Sequence, residues 1–373
     1  MYILFCGGGT AGHVEPALAI ADLCKRRMPS LGIRFIGRAG GAENRRIEEA
    51  GYPLTTITIS GLQRRLSLRQ VRTVWQTLRC IQAVKRQLKA DPPALVVGTG
   101  GYVCFPVIYA ASSLGIPTVL HESNATPGLT VRMLSRRVDT LLVNLPLTDK
   151  RLSKGTRIER VGMPVRSDIA SISRAQARRS LGLKDGEQLI VSFGGSLGAE
   201  RINDVCLRLM ASISEKHPSI HHIHGCGKRY YEALARSYPH FCTEGARCRI
   251  YPYLDQMPTL LRAADLVICR SGAATVAEVC AAAAPTIFIP SPHVTEDHQY
   301  KNAKYLADAG ACRLLREDDL TQEALEKTVR QILGDGALRA RMRKVIHTFY
   351  DPMTDERIYR ALLPHLSTNS AQK

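Results

Sequence analysis

Three glycine-rich stretches constrain this 373-residue chain more than any other feature: Gly7-Gly8-Gly9-Thr10-Ala11-Gly12-His13, Gly98-Thr99-Gly100-Gly101-Tyr102 and Gly194-Gly195-Ser196-Leu197-Gly198-Ala199. Each follows an apolar, β-branched run and leads into a helix-like segment. A strand that ends in glycines lets the backbone approach an anion closely, and the next helix turns its unpaired N–H groups and positive dipole end toward it. Three such loops, spread over both halves of the chain, point to two nucleotide-type domains that together hold more than one phosphorylated ligand.

The rest of the chain supports that organisation. Apolar strand-like runs at Ile3 to Cys6, Arg34 to Ile36, Thr55 to Ile59, Leu95 to Val97, Thr118 to Leu120 and Leu141 to Val143 alternate with amphipathic stretches starting at Val14, Glu43, Leu68, Val103 and Gly128. The pattern restarts after a break between Ile158 and Ala170, with a charged helix from about Arg174. Further strands are expected at Leu189 to Phe193, Ile220 to Ile223, Cys248 to Tyr251, Leu266 to Cys269, Thr286 to Ile289 and Cys312 to Leu315. Strand–helix alternation makes a parallel sheet with ligands at the carboxyl ends of the strands. The expected fold class is therefore α/β, with two Rossmann-like, doubly wound domains at 1–162 and 163–350. A helix over 351–366 is expected to pack back on the first domain, and 367–373 reads as a tail.

Composition narrows the function. Hydrophobic residues at 45% and charged residues at 23% suit a soluble globular protein. No apolar run approaches the roughly 18 residues that span a bilayer, and Met1 to Cys6 reads as a core strand rather than a signal peptide. The 11 cysteines are scattered without a C-x-x-C pair, which suggests free thiols in a reducing cytosol. His221-His222-Ile223-His224-Gly225-Cys226 reads as a strand end, with His222 and His224 on one face, and not as a zinc site. No metal-binding carboxylate pair stands out.

The charge is unusual, with 51 Lys plus Arg against 33 Asp plus Glu, or +18. Such an excess favours anionic partners. Much of it is local: Arg64, Arg65, Arg69, Arg72, Arg79, Lys85, Arg86 and Lys89 lie beside Leu66, Leu68, Val71, Trp75, Leu78 and Ile81 in one helical stretch. Two readings fit, a helix packed on its domain with a solvated basic face, or a surface that rests on an anionic membrane. No aromatic-interleaved basic strand supports nucleic-acid binding.

Gly7-x-Gly9-x-x-Gly12 matches the dinucleotide fingerprint, but the second strand ends Ile36-Gly37-Arg38, where an NAD enzyme needs an acidic residue. His13, at a helix N-terminus, is expected to stay neutral, which suits a general base, although for a lone histidine a polar helix cap is the preferred reading. In Arg270-Ser271-Gly272-Ala273-Ala274-Thr275-Val276-Ala277-Glu278, the residues Ala273 to Thr275 open a helix with free N–H groups for phosphate. Glu278 lies one turn further on the same side, placed to accept both hydroxyls of a ribose. The polar run His293 to Asn302 follows a strand, where a sugar would be read by hydrogen bonds, with a surface loop as the competing account.

These residues resemble a known family. Gly8-Gly9-Thr10-Ala11-Gly12-His13, Gly100-Gly101-Tyr102-Val103, His121-Glu122-Ser123-Asn124, Gly162-Met163-Pro164-Val165-Arg166, Gly194 to Ala199, Arg270 to Glu278 and Gln299-Tyr300-Lys301-Asn302-Ala303 follow one another as in the MurG family of peptidoglycan glycosyltransferases. The resemblance spans essentially the full chain. It implies the GT-B architecture, two Rossmann-like domains facing across a cleft, and transfer of N-acetylglucosamine (GlcNAc) from UDP-GlcNAc to the 4-hydroxyl of N-acetylmuramic acid (MurNAc). The acceptor would be lipid I, undecaprenyl-pyrophosphoryl-MurNAc-pentapeptide, and the product lipid II, through an inverting β-1,4 transfer without a cofactor.

By the same resemblance, the Leu254 backbone would read the uracil and Glu278 the ribose. Ser196, Arg166 and the helix opening at Ala273, Ala274, Thr275, Val276 and Ala277 would hold the diphosphate, and Gln299 with Asn302 the sugar. Thr10, Ala11, Gly12 and Asn124 would close over the donor, while Gly100, Gly101, Tyr102 and His121 line the acceptor side. His13 is the implied base and Glu122 its reserve. A lipid-linked acceptor would bring the enzyme to the cytoplasmic face of the cell membrane as a peripheral protein, through Leu62, Leu66, Leu68, Trp75, Arg64, Arg65, Arg69 and Arg72. Division or cell-wall machinery would be further partners.

The chain departs from the family pattern at Ala11 (usually glycine), Glu15 (aromatic or aliphatic), Ser123 (glutamine), Met163 (asparagine) and Leu197 (glutamine). A paralogous UDP-GlcNAc-dependent transferase with another lipid-linked acceptor, and a UDP-GlcNAc 2-epimerase, are the alternatives.

Overall fold

The computed structural model describes residues 1–9, 11–41, 44–60, 68–145, 152, 156–165, 169, 171–195 and 197–367. It comprises two compact units, Met1–Pro164 with the segment from Pro352 onward, and Val165–Asp351.

The first unit is built on a seven-stranded sheet in the order β3-β2-β1-β4-β5-β6-β7. Its strands are β1 (Tyr2–Cys6), β2 (Gly32–Arg38), β3 (Leu54–Ile57), β4 (Leu95–Gly98), β5 (Thr118–Glu122), β6 (Thr140–Val143) and β7 (Ile158–Arg160). Every pairing is parallel, with Phe5 opposite both Phe35 and Val97. The side-chain period of two sends alternate residues to opposite faces. Ile3, Phe5, Leu95, Val97 and Val119 pack with the helix Ala11–Arg27. Leu4, Cys6, Val96 and Leu120 pack on the other side with Ile81, Val84 and Leu88 of helix Leu68–Ala90 and with Val107 and Ile108 of helix Cys104–Ser113. Burial on both faces explains why these strands read as unbroken apolar runs.

The helix Thr354–Ser367 returns to this unit, where Ile358 and Leu362 join the core beside the helix Ala11–Arg27. Arg26 pairs with Asp355 at 3.3 Å and Arg27 with Glu356 at 2.9 Å. Further along, the Thr140 hydroxyl lies 3.1 Å from His365 Nε2.

The second unit repeats the plan with six parallel strands in the order β10-β9-β8-β11-β12-β13. These are β8 (Gln188–Phe193), β9 (Ile220–Gly225), β10 (Cys248–Tyr251), β11 (Leu266–Cys269), β12 (Thr286–Phe288) and β13 (Arg313–Leu314). Leu189, Val191, Phe193, Val267 and Cys269 face one core, while Ile190, Ile268 and Ile287 face the other.

Most strands match the sequence reading to within two residues at each end, and two departures are informative. β7 is an added edge strand of three residues, none of them buried, so it carries no apolar run to announce it. β9 extends to Gly225, two residues beyond the expected end at Ile223; His222 and His224 are buried there, with His222 Nε2 and both ring nitrogens of His224 hydrogen-bonded inside the unit.

Candidate active site

In each unit the strand order reverses beside the central strand, between β1 and β4 in the first and between β8 and β11 in the second. Crevices at such switch points, at the carboxyl ends of the strands, are where open α/β sheets bind ligands. All three glycine loops lie there.

In the first unit the two loops interlock. The Thr99 hydroxyl donates to the His13 carbonyl at 2.6 Å, and His13 Nδ1 lies 3.2 Å from the Thr99 carbonyl. A carbonyl can only accept, so Nδ1 carries a proton, and Nε2 is the ring atom through which His13 could act as a base. The glycines make this approach possible: a Cβ on Gly101, at φ +78°, would sit 1.9 Å from the Gly8 carbonyl oxygen, and one on Gly100 2.8 Å from His13 Nδ1. The Tyr102 ring lies against Gly9, where a Cβ would come within 2.5 Å. Ala11 and Gly12 open the helix that carries His13; Thr10 lies outside the described residues.

His121, Glu122 and Ser123 are buried and act as supports. His121 Nε2 lies 3.1 Å from the Gly162 carbonyl, to which it donates, and its Nδ1 lies 3.4 Å from the Ser123 hydroxyl. Burial lowers the His121 pKa to about 4, so the ring is neutral at physiological pH. This corrects the expectation that His121 lines the acceptor side, since it has no exposed surface. Glu122 Oε1 accepts from the Asn124 N–H at 2.9 Å and from its Nδ2 at 3.1 Å, while Oε2 accepts from the Gly128 N–H at 2.9 Å. Burial raises the Glu122 pKa and these donors oppose the rise. The carboxylate staples its own loop, which makes it a poorer base candidate than His13 and places Asn124 in the same staple.

In the second unit the helix Ala273–Ala281 starts behind Gly272 without a side-chain cap. The Val276 N–H is already bonded to the Gly272 carbonyl at 2.9 Å. The N–H groups that could cradle an anion here are therefore those of Ala273, Ala274 and Thr275, whereas Val276 is buried in the core with its N–H already bonded. A Cβ on Gly272 would meet no protein atom within 4 Å, which leaves space in front of the cradle. Glu278 follows one turn later and is partly exposed, as is Ala277.

Around the cradle, the Ser271 hydroxyl donates to the Gln299 carbonyl at 2.9 Å, and Asn302 Nδ2 to the Ser271 carbonyl at 3.3 Å. Asn302 is fully buried and supports this loop from below, whereas the sequence reading put it against the sugar. Gln299 Oε1 accepts from the Ser291 N–H at 2.9 Å, which turns its Nε2 donor the other way. Glu296 and Asp297, just before the helix His298–Asp308, hold left-handed backbone at φ +58° and +52°. Leu254 is buried, packed against Gly225 at the end of β9. Arg166 and Ser196 lie outside the described residues.

Away from the loops, Val74, Trp75 and Leu78 on helix Leu68–Ala90 are half exposed or more. The Arg79 guanidinium lies 3.4 Å from the centre of the Trp75 ring. Leu129 and Met133, on helix Leu129–Leu134, are also exposed. Leu62, Leu66, Arg64 and Arg65 lie outside the described residues, as do the side chains of Leu68, Arg69 and Arg72. No described helix is long and apolar enough to cross a membrane.

Family models match both units: the glycosyltransferase family 28 N-terminal domain over residues 3–143 and the family's C-terminal domain over 189–355. The chain belongs to glycosyltransferase family 28. Its two parallel-sheet units are the two domains of the GT-B architecture. It is 38% identical over 335 residues, 89% of this chain and 91% of the relative, to the UDP-N-acetylglucosamine–N-acetylmuramyl-(pentapeptide) pyrophosphoryl-undecaprenol N-acetylglucosamine transferase of Exiguobacterium sp.. Among solved structures it resembles Acinetobacter baumannii MurG, at 28% identity and a TM-score of 0.76, covering 97% of this chain and 99% of that one. A putative UDP-N-acetylglucosamine 2-epimerase from Listeria monocytogenes shares the fold, with a TM-score of 0.69 over 98% of this chain and 96% of that one, at only 15% identity.

Of the family departures, Ser123 and Met163 are buried. Glu15 is paired with Arg46 at 2.9 Å, and Leu197 is 81% exposed at the tip of the third glycine loop.

Proposed function

We propose that this family 28 enzyme is an inverting N-acetylglucosaminyltransferase that moves GlcNAc from UDP-GlcNAc to the 4-hydroxyl of MurNAc in lipid I, giving lipid II for peptidoglycan synthesis. The observation that carries the donor and acceptor is the 38% identity over 89% of the chain to a relative named for that reaction. The epimerase alternative rests on shared fold alone.

The chemistry assigned to the residues is a single displacement. His13 Nε2 accepts the proton of the acceptor 4-hydroxyl, whose oxygen attacks C1 of GlcNAc as the C1–O bond to UDP breaks. One inversion converts the α-linked donor to a β-1,4 product. The N–H groups of Ala273, Ala274 and Thr275, with Arg166 and Ser196, stabilise the negative charge that grows on the departing diphosphate. Glu278 takes the ribose hydroxyls, the Leu254 backbone the uracil, and Gln299 Nε2 a sugar hydroxyl. Gly100, Gly101 and Tyr102 face the acceptor.

The lipid tail of the acceptor stays in the bilayer, so the enzyme works at the cytoplasmic membrane surface. Val74, Trp75 and Leu78 supply an apolar contact beside Arg79, Lys85, Arg86 and Lys89.

The test is transfer of label from UDP-GlcNAc to a short-chain lipid I analogue. Wild-type protein is expected to form labelled disaccharide-lipid, and His13→Ala to lose about 10²- to 10⁴-fold in kcat, the usual contribution of a general base. Folded His13→Ala that transfers at the wild-type rate removes His13 as the base, and wild-type protein that binds UDP-GlcNAc without glycosylating the analogue removes lipid I as acceptor.

A further inference from the structure

Beneath the third glycine loop runs a line of polar groups that the transfer chemistry does not use. Ser192 in β8, His222 and His224 in β9, and Asn203 in helix Glu200–Lys216 are all buried. The Ser192 hydroxyl lies 2.7 Å from both His222 Nε2 and His224 Nδ1. His224 Nε2 lies 3.0 Å from Asn203 Oδ1, and Asn203 Nδ2 donates to the Cys226 carbonyl at 3.0 Å.

Only one proton arrangement satisfies this line. The Cys226 carbonyl can only accept, so the Asn203 amide must present Nδ2 to it and Oδ1 to His224. His224 Nε2 then carries the ring proton, and its Nδ1 accepts from the Ser192 hydroxyl. With that hydroxyl proton committed, His222 Nε2 must donate to the Ser192 oxygen. His222 Nδ1 is left as a buried lone pair without a hydrogen-bond partner. Every donor thus points one way, from His222 toward the Cys226 carbonyl.

That carbonyl is the seat of the glycine loop. Gly198, at φ +77°, lies so close that a Cβ there would come within 2.1 Å of the Cys226 oxygen. A Cβ on Gly227 would come within 2.6 Å of the Leu197 oxygen. The Asn203 amide and Gly198 therefore approach the same peptide, and the loop can sit no lower than the Cys226 carbonyl allows.

We propose that Ser192, His224 and Asn203 are positioning residues for the donor: their one-way hydrogen-bond line holds the Cys226 carbonyl, and through it Leu197 and Gly198 of the third glycine loop, at the height the UDP-GlcNAc diphosphate requires. The proposal rests on the reading of that loop as part of the donor site.

Two substitutions of His224 divide the line. His224→Gln keeps a donor at the Nε2 position, toward Asn203; His224→Asn keeps a polar atom at the Nδ1 position, toward Ser192, and releases Asn203. The expected result is a roughly tenfold rise in KM for UDP-GlcNAc in His224→Asn, the fold-change one buried hydrogen bond supplies. KM for the lipid I analogue is unchanged, and His224→Gln stays within about threefold of wild type for both substrates. Asn203→Asp, which keeps its shape but turns an acceptor on the Cys226 carbonyl, raises the donor KM as well and serves if the His224 variants do not fold. Donor KM values that match wild type in folded His224→Asn or Asn203→Asp overturn the proposal. Equal rises in His224→Gln and His224→Asn that track their losses in melting temperature do so too. Gly195→Ala separates the two readings: its Cβ meets no atom within 4 Å, so it acts only through the loop backbone at φ +96°. If it leaves donor KM unchanged, the diphosphate reading of the loop is what has failed; if it raises donor KM while the relay variants do not, the positioning role is what has failed.

Discussion

Gly101 carries the sharpest test of how the two loops of the first unit hold His13. At φ +78° an alanine adopts a left-handed conformation, which costs roughly 1–2 kcal/mol. The same Cβ would stand 1.9 Å from the Gly8 oxygen and 3.0 Å from His13 Cδ2. Ordinary contact requires at least about 3 Å, so Gly101→Ala must part the loops by about 1 Å and carry the imidazole with them. A displacement of that size at a reacting group costs on the order of 100-fold in rate. Gly115 is the control, since it has φ +69° but no atom within 4 Å of its Cβ position, and Gly115→Ala meets the backbone strain alone. Both variants are expected to lose a similar few degrees in melting temperature from strain, with a further loss in Gly101→Ala, while only Gly101→Ala loses about 100-fold in kcat for label transfer. A folded Gly101→Ala protein within twofold of the wild-type kcat would refute the argument that loop interlock sets the base.

Two further outcomes follow from burial and exposure. His121 and His224, each lowered by burial to about 4, stay neutral in the folded protein while the unfolded chain protonates them near 6.5. The unfolded state then binds more protons below about pH 6.5, so stability is complete above that pH and falls toward pH 4, by about 2 kcal/mol per histidine at pH 5. Urea unfolding at pH 7.5 and pH 5 reads the change, and a flat profile contradicts the neutral-ring assignment. At the surface, Trp75→Ala combined with Leu78→Ala is expected to weaken sedimentation with anionic phosphatidylglycerol vesicles about tenfold or more, with kcat on a detergent-solubilised acceptor unchanged. Equal binding by wild type and variant would move the membrane contact elsewhere.

Most of the architecture was legible because strands covered on both faces must be apolar throughout, and the glycine loops mark where they end. β7 escaped for the converse reason, as an edge strand with no buried residue. The site was legible by location more than by role. His121, Glu122, Asn302 and Val276 stand at strand ends or helix starts, where a side chain can face a ligand or the packing beneath. His121 and Asn302 turned inward because acceptors awaited them there, the Gly162 and Ser271 carbonyls respectively. Neither carbonyl is close in sequence to the side chain that finds it.

By itself the sequence determined the periodicities, the positions at which only glycine fits a left-handed turn, and the shared face of His222 and His224 that follows from strand parity. Tertiary structure alone decided which atoms those side chains meet. Ser192 reaches His224 because β8 and β9 pair in a register that sets the two residues directly opposite, and the proton on His13 Nδ1 is set by the Thr99 carbonyl, 86 residues away in the chain. Local propensity and pattern act over a few residues, whereas a proton is placed by whichever acceptor the folded chain brings within about 3 Å.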